Sequence, residues 1–110
     1  MNKIIHKNLA EGRWHTFSLA EQLGNIGSEV YRASKQEAGD RKLFDAAVDR
    51  ALELFNLTLS DKRWKWRLKE IGRTRDVFCD AVLGGKEYGS KLKDLQKYFD
   101  YFGIVARSNI

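Results

Sequence analysis

Apolar residues recur at Leu19, Leu23, Ile26, Val30 and Ala33, a 4-3-4-3 spacing that places them on one stripe of an α-helix. Ser18 and Glu21 form a capping-box pattern just before that stripe, so the helix is expected from Ser18 to about Lys35. Ala38-Gly39-Asp40 reads as a stop followed by a cap. A second helix is expected from Asp40 to about Leu57, with Leu43, Phe44, Ala47, Val48, Ala51, Leu54 and Phe55 as a broad apolar face. Ser60 and Asp61 then suit the start of a third helix running to about Leu83. Gly84-Gly85-Lys86-Glu87-Tyr88-Gly89-Ser90 is a loop, and Ser90 is the expected cap of a fourth helix carrying Leu92, Leu95, Phe99, Phe102 and Ala106, with Tyr98 and Val105 beside them.

Four amphipathic segments joined by short loops predict an all-α fold, a single four-helix-bundle domain over residues 1–110, most simply up-down-up-down. Residues 1–15, with Ile4, Ile5, Leu9 and Trp14 among polar neighbours, form an N-terminal arm or short helix. Gly24 and Gly27 each cost about 1 kcal/mol inside a helix, so either they allow close approach by another helix or by the arm, or they merely lower local stability.

Composition narrows the setting. With no proline and one cysteine, Cys79, the chain lacks both the breakers of an all-β protein and the thiol pairs of a secreted scaffold, so a cytoplasmic location is expected. No stretch approaches the roughly 20 apolar residues of a membrane span. The net charge of +5 is concentrated: Asp61 to Asp76 holds seven basic and three acidic residues, hence +4 of the total.

On a helical wheel of the third segment, Trp64, Leu68, Ile71, Phe78 and Val82 form the core face. Lys62, Lys65, Lys69 and Arg73 fall opposite, with Trp66 beside them and Arg63 and Arg67 on a flank. Cations around an indole suit phosphate contact and base stacking, so Lys62, Arg63, Lys65, Trp66, Arg67, Lys69 and Arg73 are the candidate nucleic-acid-binding residues. Asp76 and Asp80 lie close to this stripe and temper it. Pairing with the acidic stripe Asp45, Asp49 and Glu53, or a solvated surface, accounts for the same pattern without nucleic acid. Arg75 falls on the apolar side, where a buried ion pair with Glu21, Glu29 or Glu53 is expected.

Catalytic material is sparse. The two histidines, His6 and His15, both lie in the arm, and Cys79 has no local activating histidine. A ribonuclease toxin of the HEPN type carries an arginine followed roughly five to seven residues later by histidine, a spacing that no arginine here has. Asp45, Asp49 and Glu53 lack a further ligand to complete a cation shell, and the glycine loop lacks the spacing of a phosphate loop. No metal and no cofactor are expected, and the chain is read as non-catalytic.

The strings HKNLAEGRWHTFSLAEQLGNIGSEV (His6 to Val30), RALELFNLTLSDKRWKWRLKEIGRTRDVFCD (Arg50 to Asp80) and GGKEYGS (Gly84 to Ser90) resemble a family of small uncharacterised bacterial helical-bundle proteins. In size, helix count and basic character the chain is also similar to the Avd-like accessory proteins of diversity-generating retroelements and to the four-helix-bundle proteins encoded by ribosomal RNA intervening sequences. That second resemblance is architectural. It implies a cyclic homo-oligomer, a pentamer, whose basic surface contacts RNA and a reverse transcriptase; no functional residue is carried over from it. The competing expectation is a protein–protein adaptor or oligomeric scaffold whose exposed aromatics, Trp66, Tyr98 or Tyr101, mark subunit contacts.

Overall fold

A computed structural model of the chain describes residues 12–107, with side chains described through residue 101. The Ser18 hydroxyl accepts the Glu21 amide at 3.1 Å while the Glu21 carboxylate accepts the Ser18 amide at 2.8 Å. This reciprocal cap starts α1, Leu19–Gln36. Asp40 Oδ1 accepts the amides of Lys42 and Leu43 and starts α2, Arg41–Leu59. Helix α3 spans Leu68–Val82 and α4 spans Leu92–Arg107. Two 3-10 turns, Arg13–Thr16 and Lys62–Arg67, precede α1 and α3. No strand occurs among the described residues, so the all-α four-helix bundle stands.

Helix α1 packs extensively against both α2 and α4, while α3 meets α2 and α4 over shorter stretches. The stripe on α1 buries Leu23, Ile26, Val30 and Ala33. On α2 the buried set is narrower than the sequence pattern, because Leu43 is exposed and Val48 only half-buried. Phe55 is the aromatic centre of the core: its ring lies 5.7 Å from Phe78 of α3 and 5.9 Å from Phe99 of α4, so one side chain ties three helices together. The close approach expected at the α1 glycines is found at Gly27, where an added Cβ would sit 2.5 Å from Phe99 Cβ. A side chain there would force α1 and α4 apart.

Buried charges add register. Glu29 is buried on α1 and accepts Arg50 of α2 and Arg32 of its own helix, each at 3.0 Å. Asp80, expected beside the basic stripe, is instead buried at the end of α3. Its two oxygens accept the amides of Glu87 and Tyr88 at 3.0 and 2.9 Å, folding the glycine loop back over the helix. Gly85 makes that return possible: its φ is 75°, and a Cβ would lie 3.0 Å from Ser90 O. Two expected caps are displaced. Ser60 closes α2, donating to Leu57 O at 2.7 Å, and α4 opens at Leu92 after Lys91, whose amide donates to Asp94 Oδ2 at 3.4 Å.

Of the arm, Trp14 is fully buried and donates its Nε1 hydrogen to Thr58 Oγ1 of α2 at 3.0 Å, which seats the turn Arg13–Thr16 across the end of the bundle. Ile4, Ile5, His6 and Leu9 lie outside the described residues, as do the side chains of Phe102, Val105 and Ala106.

Candidate functional site

The third helix does not begin where its sequence pattern begins. Asp61 takes the capping role: its Oδ1 accepts the Arg63 amide at 3.1 Å, and the chain then enters the 3-10 turn Lys62–Arg67. Trp64 interrupts helical geometry at φ −102° and ψ 19°, and α3 starts only at Leu68. The helical wheel therefore fails for residues 62–67. Within α3 it holds for Ile71 and Phe78, which are buried, whereas Val82 is half-buried and Leu68, at the helix start, is 39 % exposed; Trp64, in the turn, is half-buried rather than a core residue.

Tertiary contacts account for the altered path. Gln22, fully buried on α1, donates to Trp14 O at 2.9 Å and to Asp61 Oδ2 at 3.1 Å, and its Oε1 accepts the Trp64 indole at 2.8 Å. Arg63 grips Asp61 with Nε on Oδ1 at 3.0 Å and Nη2 on Oδ2 at 2.6 Å; Nη2 also donates to Phe17 O at 2.7 Å. The same guanidinium lies 4.4 Å from the Trp64 ring centroid. His15 Nδ1 is 3.2 Å from Asp61 Oδ2. Asp61 is only 4 % exposed, yet Arg63 and the Gln22 amide hold its carboxyl well below the usual carboxylate range against the opposing effect of burial. No buried side-chain nitrogen or oxygen among the described residues lacks a partner. Continuing α3 back to Asp61 would break this set of bonds, and no local preference of Trp, Lys or Arg outweighs them.

This network divides the seven candidate residues. Arg63 is committed to Asp61 and Phe17 O. Arg67 is committed to Glu70, donating from Nε at 2.9 Å and from Nη2 at 3.0 Å, and holds that carboxyl below its ordinary range. Lys62, Lys65, Trp66, Lys69 and Arg73 are exposed. Trp66 is 87 % exposed, with Lys65 Nζ 5.2 Å from its ring centroid. Lys69 and Arg73, one helical turn apart, share a face of α3, and Arg73 Cζ lies 5.6 Å from the Tyr88 ring centroid. Tyr88 had no periodic signal in the sequence; its place depends on Asp80 fixing the loop.

Between α3 and α4 runs an open groove of about 300 Å³ lined by Glu70, Arg73, Thr74, Val77, Leu95 and Tyr98. The Tyr98 and Tyr101 side chains are exposed beside this part of α4, as expected. Arg75 is half-buried and donates to Asn56 Oδ1 of α2 at 3.1 Å, so an amide oxygen holds it to the neighbouring helix. Two of the carboxylates expected for it are otherwise engaged, Glu21 in the α1 cap and Glu29 with Arg50 and Arg32. Asp45 of the acidic stripe pairs with Arg41 on its own helix at 3.2 Å. Among the described residues no group of three or more His, Cys, Asp or Glu side chains is placed to hold a metal ion, and no helix is long and apolar enough to cross a membrane.

No protein-family model, curated protein or solved structure matches the chain.

Proposed function

We propose that the chain is a non-catalytic, cytoplasmic protein that binds nucleic acid, RNA above all, through Lys62, Lys65, Trp66, Lys69 and Arg73. The observation that carries this reading is the tip of the basic segment. Once Arg63 and Arg67 are assigned to ion pairs, four exposed cations remain on the basic segment with an indole that is 87 % exposed, and Lys65 Nζ lies 5.2 Å from its ring centroid. Lysine and arginine neutralise phosphates and release counterions, while the indole offers a stacking face. Four phosphate contacts correspond to a log–log salt slope of about −3 on a single strand. The architectural resemblance adds the role of accessory subunit to a reverse transcriptase in a diversity-generating retroelement, acting as a cyclic homo-oligomer such as a pentamer.

Retention on RNA or heparin tests the binding. Retention should weaken steeply with salt and weaken further in a Lys65→Glu, Lys69→Glu double variant; retention indifferent to both would reject the reading. Light scattering tests the assembly, and a monomer at micromolar concentration counts against a ring.

A protein–protein adaptor is the second reading, favoured by Leu83, which is 78 % exposed, and Tyr101, which is 64 % exposed. Neither belongs to the basic segment, and the Leu83 side chain has no group that could contact phosphate. Self-association lost on Tyr101→Glu, without any nucleic-acid binding, would favour it.

A further inference from the structure

We infer that this surface takes single-stranded nucleic acid with unpaired bases, one base stacking on Trp66 and a neighbouring base entering the α3–α4 groove. The inference rests on the nucleic-acid reading above and specifies its ligand. Duplex binding needs only cations, because paired bases hide their faces inside the stack. Here the most exposed large apolar side chain of the described residues sits among those cations. The turn that carries it is fixed by the Arg63–Asp61 pair and by the Trp64–Gln22 hydrogen bond, so the backbone beneath the indole is ordered before binding.

The groove is joined to this turn through the Arg67–Glu70 pair. Arg67 follows Trp66 directly and bridges to Glu70, which lines the groove together with Tyr98. At about 300 Å³ the groove falls at the small end of ligand sites, a size for one flat ring system rather than a large ligand. Val77 and Leu95 make it apolar and Tyr98 supplies an aromatic wall. Arg73 stands at the rim, where the backbone flanking a seated base would run. The acidic member of the lining, Glu70, is neutralised by the two-pronged Arg67 pair, so the groove does not repel a polyanion.

Fluorescence anisotropy with a short labelled oligouridylate and with a blunt RNA duplex of matched phosphate number tests this at one salt concentration. The single strand should bind about tenfold more tightly, and Trp66→Ala should remove about that factor for the single strand while leaving the duplex within twofold. Thr74→Phe, which fills the groove without altering a cation, should weaken single-strand binding several-fold and spare the duplex. Circular dichroism on each variant verifies that the helices persist. Equal affinity for the two probes, insensitive to Trp66→Ala but reduced by Lys65→Glu with Lys69→Glu, overturns the inference and leaves the nucleic-acid reading standing. Binding to neither probe, with self-association that depends on Trp66, overturns both and assigns the face to protein contact.

Discussion

Trp64 and Trp66 stand two residues apart in one basic turn and have opposite surroundings. The inner indole is half-buried, donates to Gln22 and is covered by the Arg63 guanidinium; the outer one is 87 % exposed, with Lys65 Nζ 5.2 Å from its ring centroid. The same division separates the cations. Arg63 is held by a carboxylate and a carbonyl, whereas Lys62 forms no ion pair with any described residue. A run of charge in sequence is thus two functional halves in space: one fastens the turn to α1 and the N-terminal turn, and the other is presented by it. Variants of the inner half should change stability, and variants of the outer half should change binding alone.

Asp61→Asn should have the largest effect. Asparagine keeps the shape but removes the counter-charge of Arg63 and turns an NH2 group toward donors that now have no acceptor. Loss of one member of a buried pair costs roughly 3–5 kcal/mol, and the partial exposure of Arg63 lowers the expectation to about 2–3 kcal/mol. For a domain of this size that is a fall in Tm on the order of 10 °C or more. A melting temperature within a degree or two of the parent would mean that the network does not hold the turn.

The acid limb of stability should carry the same signature at smaller amplitude. The folded Asp61 carboxyl titrates below its unfolded value of about 3.9, so the unfolded chain takes the proton first as pH falls. The stabilisation is fully present above that unfolded value and is lost progressively on further acidification. Thermal melts from neutral pH downward should therefore show the parent and Asp61→Asn converging in acid. A constant gap between them would show that the charge of Asp61 is not what stabilises the fold.

Trp64→Phe sharpens the comparison from inside. The ring contact is largely kept, but Gln22 Oε1 loses the donor 2.8 Å away in a fully buried position. About 1–2 kcal/mol of stability should go with it, measured by urea denaturation at unchanged m-value. An increase in m would instead indicate that the turn had opened.

What was legible beforehand follows the range of the forces involved. The start of α1 is written in Ser18 and Glu21, the start of α2 in Asp40, and the buried positions of α3 in the spacing of Ile71 and Phe78, all local or periodic signals. The path of residues 62–67 was not legible, because its determinants are Gln22, Trp14 and the Phe17 carbonyl, each about forty or more residues away in sequence. No proline or glycine marks the break, so the wheel ran through it. Arg63 and Arg67 looked as available as Lys62 and Lys65, although their carboxylate partners Asp61 and Glu70 stand only two and three residues away. The basic segment was legible as a composition and not as a geometry: its charge and its indoles are plain in the sequence, while which cations are held in ion pairs is set by the side-chain placement of the folded turn.

Trp66→Ala is the smallest stability change expected and completes the comparison. An exposed indole contributes little burial, and substitutions at such surface positions usually fall within about 0.5 kcal/mol of the parent. Its one described ring contact, with Lys65, is solvent-facing and weak. The turn that carries it is fastened by Asp61, Arg63 and Trp64, none of which the substitution touches. Urea denaturation should therefore give the parent midpoint within error. A loss of 1 kcal/mol or more, on the order of what Trp64→Phe costs, would mean that Trp66 is a packing residue. The division between a fastening half and a presenting half would then fail at the residue on which it most depends.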